Sequence, residues 1–248
     1  MQSEAHSHEG SVLLGSSTGY DFVEYRSESR GRSATPSEPP LSALFRYRIL
    51  KRAVDLLLVL LLLPLLLPVT AVICMVVKLS SPGSIFFSHR RLCRNGEFFS
   101  MWKFRTMCVN SGEVLERHLA SHPQARAEWN VTHKLKQDPR VTPVGLVLRR
   151  FSLDELPQIW NVLNGRMSLV GPRPIVAAEV EKYGDCFRAY CRVKPGVTGL
   201  WQVSGRSKLS YESRVELDRR YVTEWSLTRD LLILSQTPRS VINQDGAY

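Results

Sequence analysis

The sequence predicts a small α/β (mixed α+β) domain behind a membrane-embedded helix–break–helix. Three observations carry that reading. No residue from Leu56 to Val77 is charged. Short aromatic-rich stretches on either side of an Asn95-Gly96 step read as strands joined by a turn. Beyond them, apolar residues recur at helical spacing in several separate segments.

Taken in order, residues 1–40 are rich in Ser, Glu, Gly and Pro, with scattered apolar residues. Such a stretch buries too little surface to offset its ordering entropy and is expected to be a disordered tail. It has no apolar core of the kind a signal peptide needs. Residues 41–80 are assigned to the membrane. The charge-free run of about 22 residues is long enough for a helix to cross a hydrocarbon core. Pro64 and Pro68 fall near its middle, each removing a backbone donor and crowding the carbonyl four residues earlier, so a kink or break is expected there. Arg46, Arg48, Lys51 and Arg52 precede the run, and Lys78, Arg90, Arg91 and Arg94 follow it. Positive charge near membrane ends favours the cytoplasm, and a single crossing would leave one cluster outside. A reentrant segment keeps both inside, and Asp55 is easier to place near an interface than at depth.

Residues 81–237 form the expected cytoplasmic domain. Ser84–Phe87 and Phe98–Phe104 read as strands. Residues 111–129 read as a polar helix with Val114, Leu115 and Leu119 as its apolar stripe. Further helices are expected over Pro143–Phe151, from Leu153 to Asn164 with a stop at Gly165, and over Tyr211–Trp225. Residues 238–248 are left as a tail.

The chain has 248 residues, a net charge of +10 and five cysteines in no CxxC pair. The charge calls for an anionic partner: nucleic acid, a phosphorylated substrate or an anionic membrane surface. The odd, scattered cysteines fit free thiols in a reducing compartment rather than disulfides or a zinc site.

Four segments bear on chemistry. Along Trp102–Thr106, strand alternation turns Trp102 and Phe104 towards a core and Lys103 and Arg105 towards the opposite face, where the pair suits either a diphosphate or plain solvent. The stretch Arg149-Arg150-Phe151-Ser152-Leu153-Asp154-Glu155 sets two carboxylates at a helix start beside two arginines. Ser152 and Glu155 have capping-box spacing, although Asp154 is an alternative cap. Dipole and arginines favour the ionised carboxylates. These could cap a helix and pair at the surface, or attack phosphorus and hold Mg²⁺. Gly171-Pro172-Arg173-Pro174 restricts the backbone around one guanidinium. Arg192 to Arg206 mixes glycines with cations and hydroxyls, as anion-binding turns do.

In sequence order the chain resembles the bacterial sugar transferases, the monotopic phosphoglycosyl transferases. The matching residues are Lys103-Phe104-Arg105-Thr106-Met107, Asp138-Pro139-Arg140, Ser152 to Gln158, Met167 to Pro174, Pro195 to Arg206, and Glu216-Leu217-Asp218 with Tyr221-Val222. The resemblance covers about residues 46–237. It implies a reentrant helix, a small mixed domain on the cytoplasmic leaflet of the bacterial inner membrane, Mg²⁺ dependence and an Asp154-Glu155 dyad. By carry-over, Asp154 attacks the β-phosphorus of a UDP-sugar, UMP leaves, and polyprenyl phosphate takes the sugar phosphate from the aspartyl intermediate. Glu155 assists with metal or proton handling, and Lys103, Arg105, Arg149, Arg173 and Arg206 contact phosphate or nucleotide. A homodimer is compatible with this reading. Two departures stand out: Leu63 precedes Pro64 where the family often has serine, and no further membrane helix of the kind carried by the large members is read ahead of residue 41. The ending Gly246-Ala247-Tyr248 resembles short exopolysaccharide-assembly members that use galactose or glucose phosphate.

A non-enzymatic membrane scaffold would explain the basic flanks and the apolar run, but not the Asp154-Glu155 cluster. A nucleic-acid binder is suggested by charge alone and is not expected, since no basic nucleic-acid motif is present.

Overall fold

A computed structural model of the chain describes residues 10–17, 20–27 and 41–242. Strands β1 (Gly10–Ser17) and β2 (Tyr20–Ser27) form an antiparallel hairpin inside the expected disordered tail, which corrects that expectation for these residues. Scattered apolar residues are brought opposite one another, Leu14 facing Val23 and Val12 facing Tyr25. Val23 is only 2% exposed and joins a cluster with Leu92, Ile175 and Tyr183. Composition averaged over 40 residues hid this pairing. Residues 1–9, 28–40 and 243–248, also read as tail, lie outside the described residues.

Helix α1 spans Leu41–Ser80, 40 residues, with Pro64 and Pro68 inside it. The expected interruption at the prolines is not a break in the helix: the chain stays helical through both. A proline costs its own donor and one carbonyl contact, and the neighbouring turns of a long aliphatic helix still hold. The segment Tyr47–Ser80 contains an 18-residue stretch with a mean hydropathy of 2.9 and is long and apolar enough to cross a membrane. Its two ends pack on the rest of the protein while its middle does not. Tyr47, Lys51, Asp55 and Val59, one helical turn apart, are buried, as are Ile73 and Val77. Leu60, Leu61, Leu65, Leu67 and Val72 between them are exposed.

Strands β3 (Phe86–Leu92) and β4 (Phe98–Phe104) pair antiparallel across the Asn95-Gly96 turn. Asn95 takes φ 64° and Gly96 φ 72°, the left-handed geometry that this dipeptide tolerates. The expected helix over 111–129 is two helices, α2 (Ser111–Ser121) and α3 (Pro123–Thr132), because Pro123 starts a new one. α4 runs over Pro143–Arg150 with Thr142 as its cap, the Thr142 hydroxyl accepting from the Gly145 amide at 2.9 Å. α5 covers Gln158–Leu163 and stops at Gly165, φ 80°.

The rest is compact and irregular. β5 (Ser168–Val170) is followed by short helices α6 (Val180–Tyr183) and α7 (Cys186–Tyr190). β6 (Gly196–Thr198) pairs parallel with β5, and α8 (Leu200–Ser204) follows. α9 (Tyr211–Thr223) and α10 (Leu227–Ile242) complete the domain, and α10 carries regular structure past the expected boundary at residue 237. Among the described residues the protein is thus helix-rich with three two-stranded sheets, one of them the hairpin ahead of α1.

The main core joins Val59 of α1 to Met101, Val162, Met167, Val170, Tyr221 and Ile233. A second core sets Ile73 and Val77 against Phe104 and Leu148. Polar bonds reinforce the first of these seams. Lys51 and Asp230 form a buried ion pair at 2.7 Å, and Asp230 also accepts from Tyr221 and Trp225. Asp55 accepts from the Ser168 hydroxyl and the Leu169 amide.

Candidate active site

Ser152 takes φ 55°, and the next three residues, Leu153–Glu155, form a single 3-10 turn before Pro157 and α5. Asp154 and Glu155 therefore sit on a tight turn rather than at the start of a continuous α-helix. Ser152 makes no side-chain cap, which corrects the capping-box reading. Leu153 and Leu156 anchor the turn in the core beneath Phe104 and Leu148. Packing of these flanking leucines turns Asp154 inwards, leaving the residue 7% exposed.

β4 brings Lys103 to this turn. Its Nζ donates to Glu155 Oε1 at 2.6 Å and lies 3.6 Å from Asp154 Oδ2, bridging the two carboxylates. The strand faces match those expected only in part: Phe104 is buried in a core as expected, but Trp102 is not. Phe99 and Met101 are buried on the core side, and Trp102, at 36% exposure, faces outwards. Lys103 shares the face of Met101 by alternation. Arg105 lies beyond the last strand residue and turns the other way, donating to the carbonyls of Ser81 and Pro82 at 2.8 and 2.6 Å. It closes the C-terminal end of α1, and the structure does not bring it to the dyad. The carbonyls freed at a helix end claimed its guanidinium.

Arg149 reaches the site from α4. Gly145 makes this approach feasible, because a Cβ there would collide with the backbone of Thr106. With the two backbones in contact, Arg149 Nε donates to the Thr106 hydroxyl at 2.9 Å. Arg149 also acts electrostatically on Asp154 and on Asp138. Asp138 is gripped by Arg140 through two bonds of 2.8 and 2.6 Å.

Arg173 and Arg206 approach from the other side. Gly171 holds the β5–β6 crossing, where a Cβ would lie 2.5 Å from the Lys194 carbonyl oxygen. Pro172 and Pro174 are buried while Arg173 projects outwards. The Arg173 and Arg214 guanidiniums lie over the Trp201 ring, at 5.6 and 5.1 Å. Arg206 holds a left-handed backbone, φ 52°.

Six of the seven residues expected at the site from phosphate chemistry thus belong to the dyad or act on it through direct contact or charge: Asp154, Glu155, Lys103, Arg173 and Arg206, with Arg149 joining through Asp154. The electrostatics split the two carboxylates. Burial would raise Glu155, but Lys103, Arg173 and Arg206 together hold it below the ordinary carboxylate range. Burial raises Asp154 above that range, with Lys103 and Arg149 opposing and Glu155 adding to the rise. The expectation that both carboxyls favour their ionised forms holds for Glu155 and is corrected for Asp154, where desolvation outweighs the cations.

Sequence reasoning missed Arg91, Trp201 and Asp218 as parts of the site. Arg91 donates to the Pro174 carbonyl, pairs with Glu179 at 3.5 Å and feels the charges of Arg173 and Glu155. It was legible only as one of several basic residues after the membrane run. Asp218 is buried and accepts from the Tyr183 hydroxyl at 2.7 Å. Burial pushes its carboxyl up to about 7, opposed by Tyr183 and by the backbone amide and charge of Arg173.

Among the described residues no three His, Cys, Asp or Glu side chains come together. Mg²⁺ is commonly held by one or two carboxylates, with substrate phosphates and water completing its shell. Adjacent Asp154 and Glu155 facing a basic recess fit that requirement.

The arrangement defines a class: paired carboxylates among cations in a domain fastened to a long apolar helix. The chain belongs to the bacterial sugar transferase family, whose profile matches residues 46–244. It is 48% identical over 200 residues to the exopolysaccharide production protein ExoY of Sinorhizobium fredii, covering 81% of this chain and 88% of that one. It is 48% identical over 201 residues to the undecaprenyl-phosphate galactose phosphotransferase of Salmonella typhimurium, covering 81% of this chain and 42% of the relative. Identity to the UDP-glucose:undecaprenyl-phosphate glucose-1-phosphate transferase of Escherichia coli is 42% over 219 residues, covering 85% and 44%. The chain therefore spans less than half the length of several of its relatives and most of the length of ExoY.

Proposed function

We propose that this protein transfers a hexose 1-phosphate from a UDP-sugar to polyprenyl phosphate, releasing UMP, as a membrane step of exopolysaccharide assembly. The observation that carries this reading is the Asp154–Lys103–Glu155 cluster with Arg173 and Arg206 facing it. Relatives named for undecaprenyl-phosphate sugar transfer support it, and galactose or glucose phosphate is the favoured cargo.

Asp154 is the nucleophile. Poor solvation of its carboxylate raises the energy of its lone pairs, and Lys103 and Arg149 orient it. An Asp154 oxygen bonds to the β-phosphorus as the bond to the bridging oxygen breaks, and UMP departs with that oxygen. A phosphate oxygen of the polyprenyl carrier then attacks the same phosphorus. The Asp154–phosphorus bond breaks, the carboxylate is restored, and a polyprenyl diphosphate sugar is formed. Arg173 and Arg206 bind the diphosphate charge, and Glu155 fixes Lys103. Bound to Asp154, Glu155 and substrate phosphates, Mg²⁺ would neutralise charge on the leaving group.

α1 is reentrant in this reading, with both ends at the cytoplasmic face of the inner membrane. Support comes from its two seams: Lys51 and Asp55 at one end and Val77 at the other are fastened to one and the same domain. A helix standing across a bilayer would carry one of these ends away from it.

The test is release of UMP from UDP-galactose or UDP-glucose, dependent on undecaprenyl phosphate and Mg²⁺. Asp154→Asn should abolish it by several orders of magnitude, and labelled sugar phosphate should be trapped on wild type without acceptor. Label on another residue, or a folded Asp154→Asn protein with near-normal turnover, overturns the assignment.

A further inference from the structure

A second cationic recess lies apart from the dyad, where α1 joins the domain. It is a cavity of about 130 Å³ lined by Tyr47, Arg48, Lys51, Arg52, Arg94 and Lys194, with Asp55 and Ser168 at its base. Five of these side chains are cations and one is a carboxylate. The carboxylate is already engaged, since Asp55 accepts from Ser168 and Leu169. Lys51 is neutralised by Asp230. Arg52 is held by the carbonyls of Val162 and Leu163, which close the C-terminal end of α5. That leaves Arg48, Arg94 and Lys194, none of which has a hydrogen-bond or ion-pair partner among the described residues. Burial, with Arg52 and Arg94 as like charges, pulls the Lys194 ammonium below its ordinary range. Cations that outnumber the carboxylates beside them, with Arg94 and Lys194 half-buried and Arg48 exposed at the rim, are a poor arrangement for an empty surface and a good one for a bound anion.

The position of the recess narrows the anion. Arg48 and Arg52 stand one to two turns ahead of the charge-free run, and exposed Ile49 and Leu50 lie beside them. If α1 enters the membrane there, the recess opens at the level of the lipid headgroups. No lining residue is shared with the Asp154 cluster.

We infer that this recess binds the phosphodiester headgroup of an anionic membrane phospholipid, seated by Arg48, Arg94 and Lys194, as a lipid site separate from the catalytic one. The inference rests on α1 being membrane-embedded and does not require the proposed reaction. The lipid locks the N-terminal half of α1 onto the domain by bridging Arg48 on the helix to Arg94 on the β3–β4 turn and Lys194 before β6. An acyl-anchored phosphate suits the site better than a free one, because the local lipid concentration at the interface is high and the apolar neighbours face the bilayer.

The test uses the full chain purified in mild detergent and reconstituted in nanodiscs, with phosphatidylglycerol and phosphatidylcholine as probes. Native mass spectrometry reads how many of each lipid stay bound, with no dependence on turnover. Wild type should retain one phosphatidylglycerol in preference to phosphatidylcholine. Arg94→Gln and Lys194→Gln should each weaken that retention about tenfold, the loss of one charge-assisted contact, while Lys194→Arg keeps it. Equal retention of the two lipids by wild type, or full retention by both glutamine variants, overturns the site. Millimolar inorganic phosphate that displaces the lipid would reassign the recess to a free anion. Displacement by stoichiometric undecaprenyl phosphate would make it part of the acceptor site; either result sinks the separate lipid site. Loss of UMP release with lipid retention intact would instead count against the proposed reaction alone.

Discussion

At the scale of single residues, the site turns on how two neighbouring carboxylates are treated differently. Asp154 is driven inwards by the leucines beside it, and Glu155 faces the guanidiniums. Their adjacency was plain in the sequence; their division of environment was not, because it depends on a left-handed Ser152 that tightens the turn. Arg105 teaches the same lesson in reverse. Its spacing from Lys103 promised a shared face, yet the end of α1 offered it carbonyls first. Arg173 is the cation fixed between two buried prolines. Replacing it with Lys keeps the charge and removes the planar fork. Turnover of Arg173→Lys at saturating substrate should fall roughly 10- to 100-fold, as expected for losing about 1.5–3 kcal/mol of charged hydrogen bonding. Unchanged turnover would mean that a point charge suffices.

At the scale of elements, short pieces are held by buried polar side chains more than by regular ladders. Asp218 of α9 is one such tie, and it gives the stability a measurable pH dependence. Its carboxyl is pushed up to about 7 in the fold, against about 3.9 in an unfolded chain. Between those values the folded protein holds a proton that the unfolded chain has released. This group's contribution to stability therefore declines as pH rises from about 4 to about 7 and is flat above. In Asp218→Asn the contribution disappears while an oxygen remains for the Tyr183 hydroxyl. The thermal midpoint of wild type, relative to that variant, should drop between about pH 5 and pH 8; parallel profiles would disprove the assignment. The Lys51–Asp230 pair between α1 and α10 is a second tie. Lys51→Ala strands Asp230 among Tyr221 and Trp225 and should cost about 3–5 kcal/mol, read as a lowered midpoint in detergent. A loss below 1 kcal/mol would show that water reaches the seam.

The sequence was most legible where one signal repeats over many residues. The apolar run, the Asn95-Gly96 turn, α4, α9 and the stop at Gly165 were all foreseen from periodicity or punctuation. β5, β6 and the helices between them were not, since three- to five-residue elements carry no period and exist only through long-range packing. The hairpin at Gly10–Ser27 and the split at Pro123 were masked by averaging over longer windows.

At the scale of the whole molecule, the reentrant path proposed for α1 makes a topological prediction. Single cysteines placed at Ser42 and Ser84 in a cysteine-free background test it. In intact cells neither should react with a membrane-impermeant reagent, and both should react after permeabilisation. Labelling of Ser42→Cys from outside would establish a crossing helix. Replacing both Pro64 and Pro68 with leucine should favour that crossing, since each proline weakens the helix where a return must be made.

The doubled fastening of α1 also bears on how the protein can be handled and recombined. Asp55 completes the hydrogen bonding of Ser168 and Leu169, and Lys51 completes that of Asp230. Removing residues 41–80 would bare those groups along with the apolar faces of Val162, Met167, Phe104 and Leu148. A domain cut free of its anchor should aggregate, and an anchor borrowed from an unrelated membrane protein should not rescue it. The helix is a wall of the domain as well as its mooring, so the two should fold as one piece.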